Sequence, residues 1–442
     1  MSFEAIPRDT RNIVLGAGPL AAGLGFYQVA LAVFLPLEGI SITNLGILLA
    51  TLGLTTVAFS IPFAILSDRY GRKEIMLVGS TLGAIVIMIP GLSSNFVILE
   101  ISAVVGGVGQ AMYVGTWNAY LADTTTFDVR PETFSLSFMT FAIAGGMGTF
   151  LPAFFPLFGT NLLTAHRITF IALGLVSSLT AFTVHNWAAK TRRETPRKGI
   201  LPHKSLGLIM KFSAANLLIG LGAGLIIPLI PTWFYLRFGV TDVFSGPLIA
   251  ASNIMMGLTA VGAPRVARRV GLVNGIVMTQ AMSTVFLLAI PFCPSAVVAG
   301  VLYVIRSVLM NMASPLSDTF LMNMIAEDER ATASSFNAVL WNLPNAGSTV
   351  VGGSLLNNGN LSLPFYLWSL VCYVDHILLQ NFPEEYASGN RKSVGYLILR
   401  STTFSAECWL SFDVSGAAEF ALPTRFYDSY GPLRFLLTPS TP

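Results

Sequence analysis

The feature that most constrains this chain is its rhythm of apolar runs. Twelve stretches, near 13–37, 44–66, 75–92, 96–122, 133–158, 168–187, 211–236, 244–264, 272–291, 295–325, 331–356 and 363–382, each approach the length of a bilayer-spanning helix. A peptide group left unbonded in hydrocarbon is costly, so such a run folds as a helix, whose backbone bonds close within the segment. Composition agrees: 53% of the 442 residues are hydrophobic and 11% charged, where a soluble domain carries about 25% charged residues. The expected fold class is an all-α membrane protein with twelve transmembrane helices.

Charge then orients the helices. Net charge is only +3, which gives no reason to expect a nucleic-acid partner. The basic residues matter by position. With twelve spans both termini share one side, and the segments on that side hold 17 Lys and Arg, from Arg8 and Arg11 through Lys190–Lys204 to Arg330. The opposite loops hold 2, Arg167 and Arg237. The positive-inside rule therefore predicts a multi-pass protein of the cell membrane with cytoplasmic N- and C-termini. Arg8 and Arg11 precede a long apolar run with no short h-region or small-residue cleavage site, so the first run reads as an uncleaved helix. Cys293, Cys372 and Cys408 lie far apart without metal-ligand spacing. No metal site and no cofactor are expected, and an odd number of cysteines gives no disulfide framework.

Between the second and third runs lies Pro62-Phe63-Ala64-Ile65-Leu66-Ser67-Asp68-Arg69-Tyr70-Gly71-Arg72-Lys73. Its polar end reads as a loop too short to leave the membrane surface, which makes the flanking helices an antiparallel pair. The order small residue, Leu, Asp, Arg, Gly, Arg, Lys resembles the signature of the major facilitator superfamily of secondary transporters, with Ala64 in place of the first glycine. The resemblance implies a gating role for Asp68, Arg69, Gly71, Arg72, Lys73 and Asp123. In the family the Asp68 position meets the start of the eleventh helix, here Ala331 to Ser335, and the Arg72 position pairs with the Asp123 position at the end of the fourth.

A second signal is internal repetition. A shift of 200 residues lays Gly39 on Gly239, Gly46 on Gly246, Arg69-Tyr70-Gly71 on Arg269-Val270-Gly271, and Asp128-Val129-Arg130 on Asp328-Glu329-Arg330. A chance repeat of apolar helices would match hydropathy without matching loop residues. Parallel six-helix repeats characterise the same superfamily. The expected organisation is an N-terminal half at 1–189, a basic cytoplasmic linker at 190–210, a C-terminal half at 211–382 and an unassigned tail at 383–442. In the second half Arg268 occupies the position of Asp68, so the gate should be one-sided.

Polar residues within the spans carry the chemistry, because an ionisable group at mid-bilayer costs at least about 2.5–3.5 kcal/mol. Arg306 lies near the middle of the tenth span and is the leading substrate or coupling candidate, with Glu100, Asp318 or a substrate anion as its counter-charge. Asp375 and His376 fall in the twelfth span, where a structural role is expected. Gly106, Gln110, Tyr113 and Trp117 follow helical spacing on the fourth span, and Asn337, Trp341, Asn345 and Ser348 on the eleventh. Each stripe reads either as cavity lining or as hydrogen-bonding glue between helices. The resemblance implies that these two spans line a central cavity. Tyr27, Gln28, Asn253 and Asn311 join as weaker candidates, with Met255 and Met256 supplying soft apolar surface. Glycines 16, 18, 23 and 25 of the first span and 145, 146 and 148 of the fifth read as close-packing seams. The fifth span lacks the Gly-Pro pair of the family's antiporters, and Ala103 stands where many proton-coupled exporters carry arginine.

Three classes follow. The first is a secondary transporter working by alternating access, most simply an exporter of a small amphipathic compound, with protons as the candidate coupling ion. Within that class the alternative is uptake of an organic anion bound through Arg306. A membrane enzyme is disfavoured, since no metal cluster, Ser-His pair or phosphate-cradling loop is visible. The third class is a transporter-like receptor without transport. The expected partners are a small-molecule substrate and the lipid bilayer, and the expected state is a monomer.

Overall fold

The computed structural model describes residues 6–126, 129–189, 206–324 and 330–380. The helices are α1 (Arg8–Gly16), α2 (Gly18–Leu37), α3 (Ile42–Tyr70), α4 (Arg72–Leu92), α5 (Phe96–Asp123), α6 (Arg130–Phe150), α7 (Leu162–Trp187), α8 (Leu206–Gly224), α9 (Ile230–Phe238), α10 (Asp242–Val270), α11 (Leu272–Ala289), α12 (Ala296–Met324), α13 (Arg330–Asn357) and α14 (Leu363–Gln380). α1 runs into α2 at Ala17, and α8 leads to α9 through a 3-10 turn at Ile227–Leu229. The described helices thus form twelve membrane-length segments in two six-helix bundles. A 3-10 segment, Leu151–Phe158, extends α6. Its Pro152 and Pro156 lack the amide hydrogens an α-helix would need.

Helix starts at one end of the bundle are set by side-chain caps. Ser41 accepts from the Asn44 amide, Asn95 from those of Val97 and Ile98, and Asn161 from that of Leu163. We call this the far end. The opposite, basic end carries Arg69, Arg72, Lys73 and Arg130. Here the structure corrects one expectation: the charged stretch between the second and third spans is not a loop. α3 continues through Tyr70 and α4 begins at Arg72, so Gly71 alone makes the joint, with φ 109° and ψ 141°. A side chain rarely adopts that conformation, and glycine supplies it without steric penalty. Ser67, Asp68 and Arg69 consequently sit on the last turn of α3, and Lys73 on the first turn of α4. The expected linker at 190–210 is shortened too, because α8 starts at Leu206; residues 190–205 and the tail at 383–442 lie outside the described residues.

The repeat is sharper in the backbone than in the sequence. The described residues with positive φ are Gly39, Gly71, Gly159, Gly239, Gly271 and Gly359. They form three pairs at the 200-residue shift, and the third, Gly159 with Gly359, extends the repeat to the far-end turns after α6 and α13.

The halves join where α3 crosses α13 and where α6 crosses α10. A Cβ placed on Gly46 would lie 2.8 Å from the Thr349 carbonyl oxygen, and one on Gly246 would collide with that of Thr149. The two approaches are equivalent under the shift. Gly53 faces Ala346, the Ile42 amide donates to Asn357 Oδ1, and Thr232 Oγ1 donates to the Ala32 carbonyl. These contacts belong to the far-end portions of the helices. Within the N-terminal half the glycine seams pack as expected: a Cβ on Gly25 would meet the Gly145 carbonyl, and one on Gly148 that of Ala22. Large apolar side chains such as Leu175, Phe182, Val285 and Phe292 remain exposed. In water such a surface would drive association, and a bilayer covers it.

Candidate functional site

A cavity of about 530 Å³ lies between the basic-end halves of α5 and α6, lined by Tyr113, Val114, Trp117, Asn118, Phe134, Ser137, Phe138 and Phe141. Spacing explains the wall. Tyr113 and Trp117 are one turn apart on α5 and stack at 5.5 Å, while Phe141 of α6 meets Trp117 edge-on at 5.6 Å. Trp117 is fixed further by its indole Nε1, which donates to Ser137 Oγ at 2.8 Å. The Tyr113 hydroxyl is different: it is buried and has no hydrogen-bond partner among the described residues. Aromatic faces with a few placed polar atoms suit a flat or amphipathic ligand.

The rest of the fourth-span stripe faces elsewhere. Gly106 packs against Val86 of α4 and Leu52 of α3, and Gln110 Oε1 accepts from Thr56 Oγ1 of α3 at 3.2 Å. On α13, Asn337 Oδ1 accepts from Asn216 Nδ2 at 2.6 Å, and Asn345 Nδ2 donates to the Gly220 carbonyl at 3.2 Å, so both amides tie α13 to α8. Ser348 donates to the carbonyl of Asn345, and Trp341 is partly exposed. Asn311 Nδ2 returns to the Ser307 carbonyl on its own helix. Gln28 is exposed on a helix most of whose side chains are buried, and Met255 is exposed; the side chains of Met256, Asp318 and His376 lie outside the described residues. Tyr27 is buried against Phe170 within electrostatic reach of Glu100. The Tyr27 hydroxyl and Glu100 Oε1 are both without a hydrogen-bond partner among the described residues.

Arg306 is 4% exposed, and its guanidinium carbon sits 4.1 Å from the ring centre of Trp368 on α14. Its carbonyl accepts from Ser283 Oγ of α11, and its Nε has no hydrogen-bond partner among the described residues. Among the described residues it forms no ion pair with Glu100. The guanidinium over the indole face is a cation–π contact. Asp375 is fully buried in α14, and neither carboxylate oxygen has a hydrogen-bond partner among the described residues.

At the basic end Arg72 Nε lies 2.7 Å from Asp123 Oδ2, and its Nη2 lies 3.3 Å from Asp68 Oδ1. The Arg72 side chain is 3% exposed, so it joins the ends of α3, α4 and α5 as a buried pin. Arg130 Nη2 donates to the carbonyls of Ala122 and Thr125 and so closes the end of α5. The side chains of Ala331 to Ser335, and with them the expected contact of Asp68, lie outside the described residues. Sequence reading missed the charged groups of the far end. Arg167 binds Glu38 at 3.0 Å and Ser94 at 3.0 Å, and His166 meets Asp242 at 2.7 Å. Departure from the repeat is the signal that marks them: at the 200-residue shift the mates of Glu38, His166, Arg167 and Asp242 are Phe238, Tyr366, Leu367 and Ile42.

Two repeated bundles that meet through bare glycines at one end, and hold polar and aromatic side chains between their helices, are the build of a membrane transporter. The chain belongs to the Major Facilitator Superfamily, whose family description matches residues 13–349. It is 23% identical over 329 residues to Multidrug resistance protein 1 of Bacillus subtilis (strain 168), covering 73% of this chain and 83% of the relative. To Multidrug resistance protein 2 of the same organism it is 30% identical over 137 residues, covering 30% of this chain and 34% of the relative, so that match spans about a third of its length. Its fold matches the nucleoside transporter NupG with a TM-score of 0.64 at 12% identity, covering 87% of this chain and 99% of that one. It also matches the human organic anion transporter MFSD10 (TETRAN) with a TM-score of 0.61 at 16% identity, covering 84% and 100%.

Proposed function

We propose that this transporter exports a small amphipathic compound by alternating access, with the cavity between α5 and α6 as part of its binding path. The observation that carries the reading is the aromatic wall of Tyr113, Trp117 and Phe141 beside a buried hydroxyl without a partner. Such a wall binds by stacking and area, and sets little requirement on ligand charge. The multidrug-resistance relatives support the same direction of transport. The basic end faces the cytoplasm in this proposal, because the loops there hold the excess of Lys and Arg. The cavity, near that end, is then reached from inside the cell or from the inner leaflet. Arg72 with Asp68 and Asp123 forms the cytoplasmic gate, and Glu100 beside Tyr27 is the candidate proton-coupling carboxyl within the membrane.

The test is flux in proteoliposomes loaded with an amphipathic fluorescent dye. Wild-type protein should move the dye down an imposed driving gradient, and Trp117→Ala should reduce the rate at least tenfold at equal incorporation. Dye movement no faster than in empty liposomes, across a panel of cationic, neutral and anionic dyes, would leave a receptor without transport as the better reading.

A second reading, uptake of an organic anion through Arg306, rests on its unpartnered Nε over Trp368. Under it, Arg306→Gln abolishes anion binding and Arg306→Lys retains part of it, because Lys keeps charge and loses the planar fork. Wild-type transport by Arg306→Gln would leave the arginine a packing role alone.

A further inference from the structure

The contact between His166 and Asp242 joins the two halves at the far end, and both side chains are fully buried. His166 lies one turn into α7 and Asp242 opens α10, 76 residues away. The imidazole is held among Phe26 at 6.5 Å, Phe34 at 5.5 Å and Phe155 at 4.8 Å between ring centres. Its Nδ1 lies 2.8 Å from the Leu162 carbonyl oxygen and its Nε2 lies 2.7 Å from Asp242 Oδ2.

Hydrogen counting fixes what this geometry contains. A carbonyl oxygen only accepts, so Nδ1 must carry a hydrogen. A neutral imidazole has one hydrogen, and with it on Nδ1 the Nε2 atom is a bare lone pair. A bare nitrogen and an ionised carboxylate oxygen cannot share 2.7 Å without repulsion. One further proton must lie between them, whether formally on the ring or on the carboxyl. The other carboxylate oxygen, Oδ1, has no hydrogen-bond partner, nor has the buried hydroxyl of Ser245 one turn on, so the ring is the acid's partner among the described residues. Without the shared proton the site would hold a buried negative charge facing a lone pair, which this apolar cage disfavours.

We propose that His166 and Asp242 form a proton-loaded latch, in which closure of the far end binds one proton and opening releases it. The pair bridges the halves, so it cannot persist when they part there. On opening, the bridging proton passes to water at the exposed far end, leaving a neutral imidazole and a carboxylate. Of the other charged groups of this end, Arg167 pairs with Glu38 and Ser94, Arg237 is exposed beside the Phe238 ring, and Glu100 lies within electrostatic reach of Tyr27. The neighbouring elements α2 and Leu151–Phe158 present phenylalanines to the ring, with Tyr27 of α2 lying farther along against Phe170. α12 brings Arg306, which lies over Trp368. The repeat mates Tyr366 and Ile42 cannot make such a pair, so one interface of the two carries the proton. The proposal rests on alternating access and adds a proton site to it, separate from Glu100.

The test is the distance between spin labels at Thr160→Cys and Asn360→Cys, exposed mates on the far-end turns of the two halves. It is measured on full-length protein in nanodiscs, with Cys293, Cys372 and Cys408 replaced by Ala, from pH 5 to pH 9 and without substrate. A closure that takes up one proton changes its equilibrium by up to about tenfold per pH unit, so the long-distance population should grow as pH rises. Asp242→Asn donates to a neutral ring without an added proton, so its closed state takes up none and the rise of the long-distance population with pH should be lost. His166→Gln donates to the carboxylate and should likewise lose the slope. A role in packing alone would shift the population while leaving the slope in place. The proposal is overturned by a pH-independent distance in the parent protein, or by a slope that survives in either variant. Neither result touches the dye-flux test, so failure of the latch and failure of the transport reading remain distinguishable.

Discussion

The Tyr113 hydroxyl is buried and makes no hydrogen bond within the described fold, so its removal takes nothing from folding. Tyr113→Phe is therefore expected to leave the apparent melting temperature unchanged or slightly higher. If the hydroxyl meets the ligand, the same change should weaken binding about two- to tenfold, the worth of a net hydrogen bond of about 0.5–1.5 kcal/mol. Ligand-induced thermal shift measured on both proteins separates the two effects, and equal shifts would remove Tyr113 from the site. Tyr113 and Trp117 were legible in the sequence because helical spacing placed them on one face of an otherwise apolar span. Asn337 and Asn345 obeyed the same spacing and turned out to bond α8, since periodicity reports a face and not its neighbour. His166 and Asp242 had no periodic signal, and a pair 76 residues apart across two halves is invisible to any local pattern.

Helix bounds were readable to within a few residues, because hydropathy and capping residues both mark where a chain leaves the bilayer. The joints were not. A single glycine turns α3 into α4, and the polar residues around it resemble a loop in any window average even though they are helical. Replacing Gly71 with Ala puts a Cβ on a backbone at φ 109° and ψ 141°, at a cost of about 1–3 kcal/mol. Gly271→Ala, at φ 87° and ψ 164°, should cost a similar amount. Gly115→Ala is the control: the nearest atom to its added Cβ is the Ser60 carbonyl oxygen at 3.5 Å, and a helical alanine gains up to about 1 kcal/mol. Unfolding in mixed detergent micelles would read all three. Equal stability of Gly71→Ala and Gly115→Ala would show that the joint tolerates a side chain.

At the level of the whole molecule, the repeat predicts which surfaces come together and the charges predict which of them differ. Gly46 and Gly246 each face the carbonyl of a threonine in the other half, at Thr349 and Thr149. Valine at either position is expected to wedge the far ends apart, with an overpacking cost of about 1–3 kcal/mol borne by the closed state. In the Thr160–Asn360 label pair this appears as a larger long-distance population at every pH, with the pH slope retained. A distance distribution like that of the parent in both variants would mean that the crossings have slack. The family and the two-bundle fold were legible from the spans, the Asp68–Lys73 motif and the shift of Gly and Arg positions. The unequal far-end charges were not, because a repeat is found by likeness and they are where it fails.

The hydrogen bond from Thr232 to the Ala32 carbonyl joins residues that are each other's counterparts in the two halves. Counterparts can touch only beside the axis that relates them. In an assembly of two identical six-helix chains, a residue there would meet its own copy, and both partners would have to be the same amino acid. Two alanines would offer no donor, and two threonines would crowd a second hydroxyl into the place of the methyl. A single polypeptide removes that restriction. Covalent linkage of the halves is thus what permits a directional bond at the centre and, farther out, a histidine on one side with no histidine opposite.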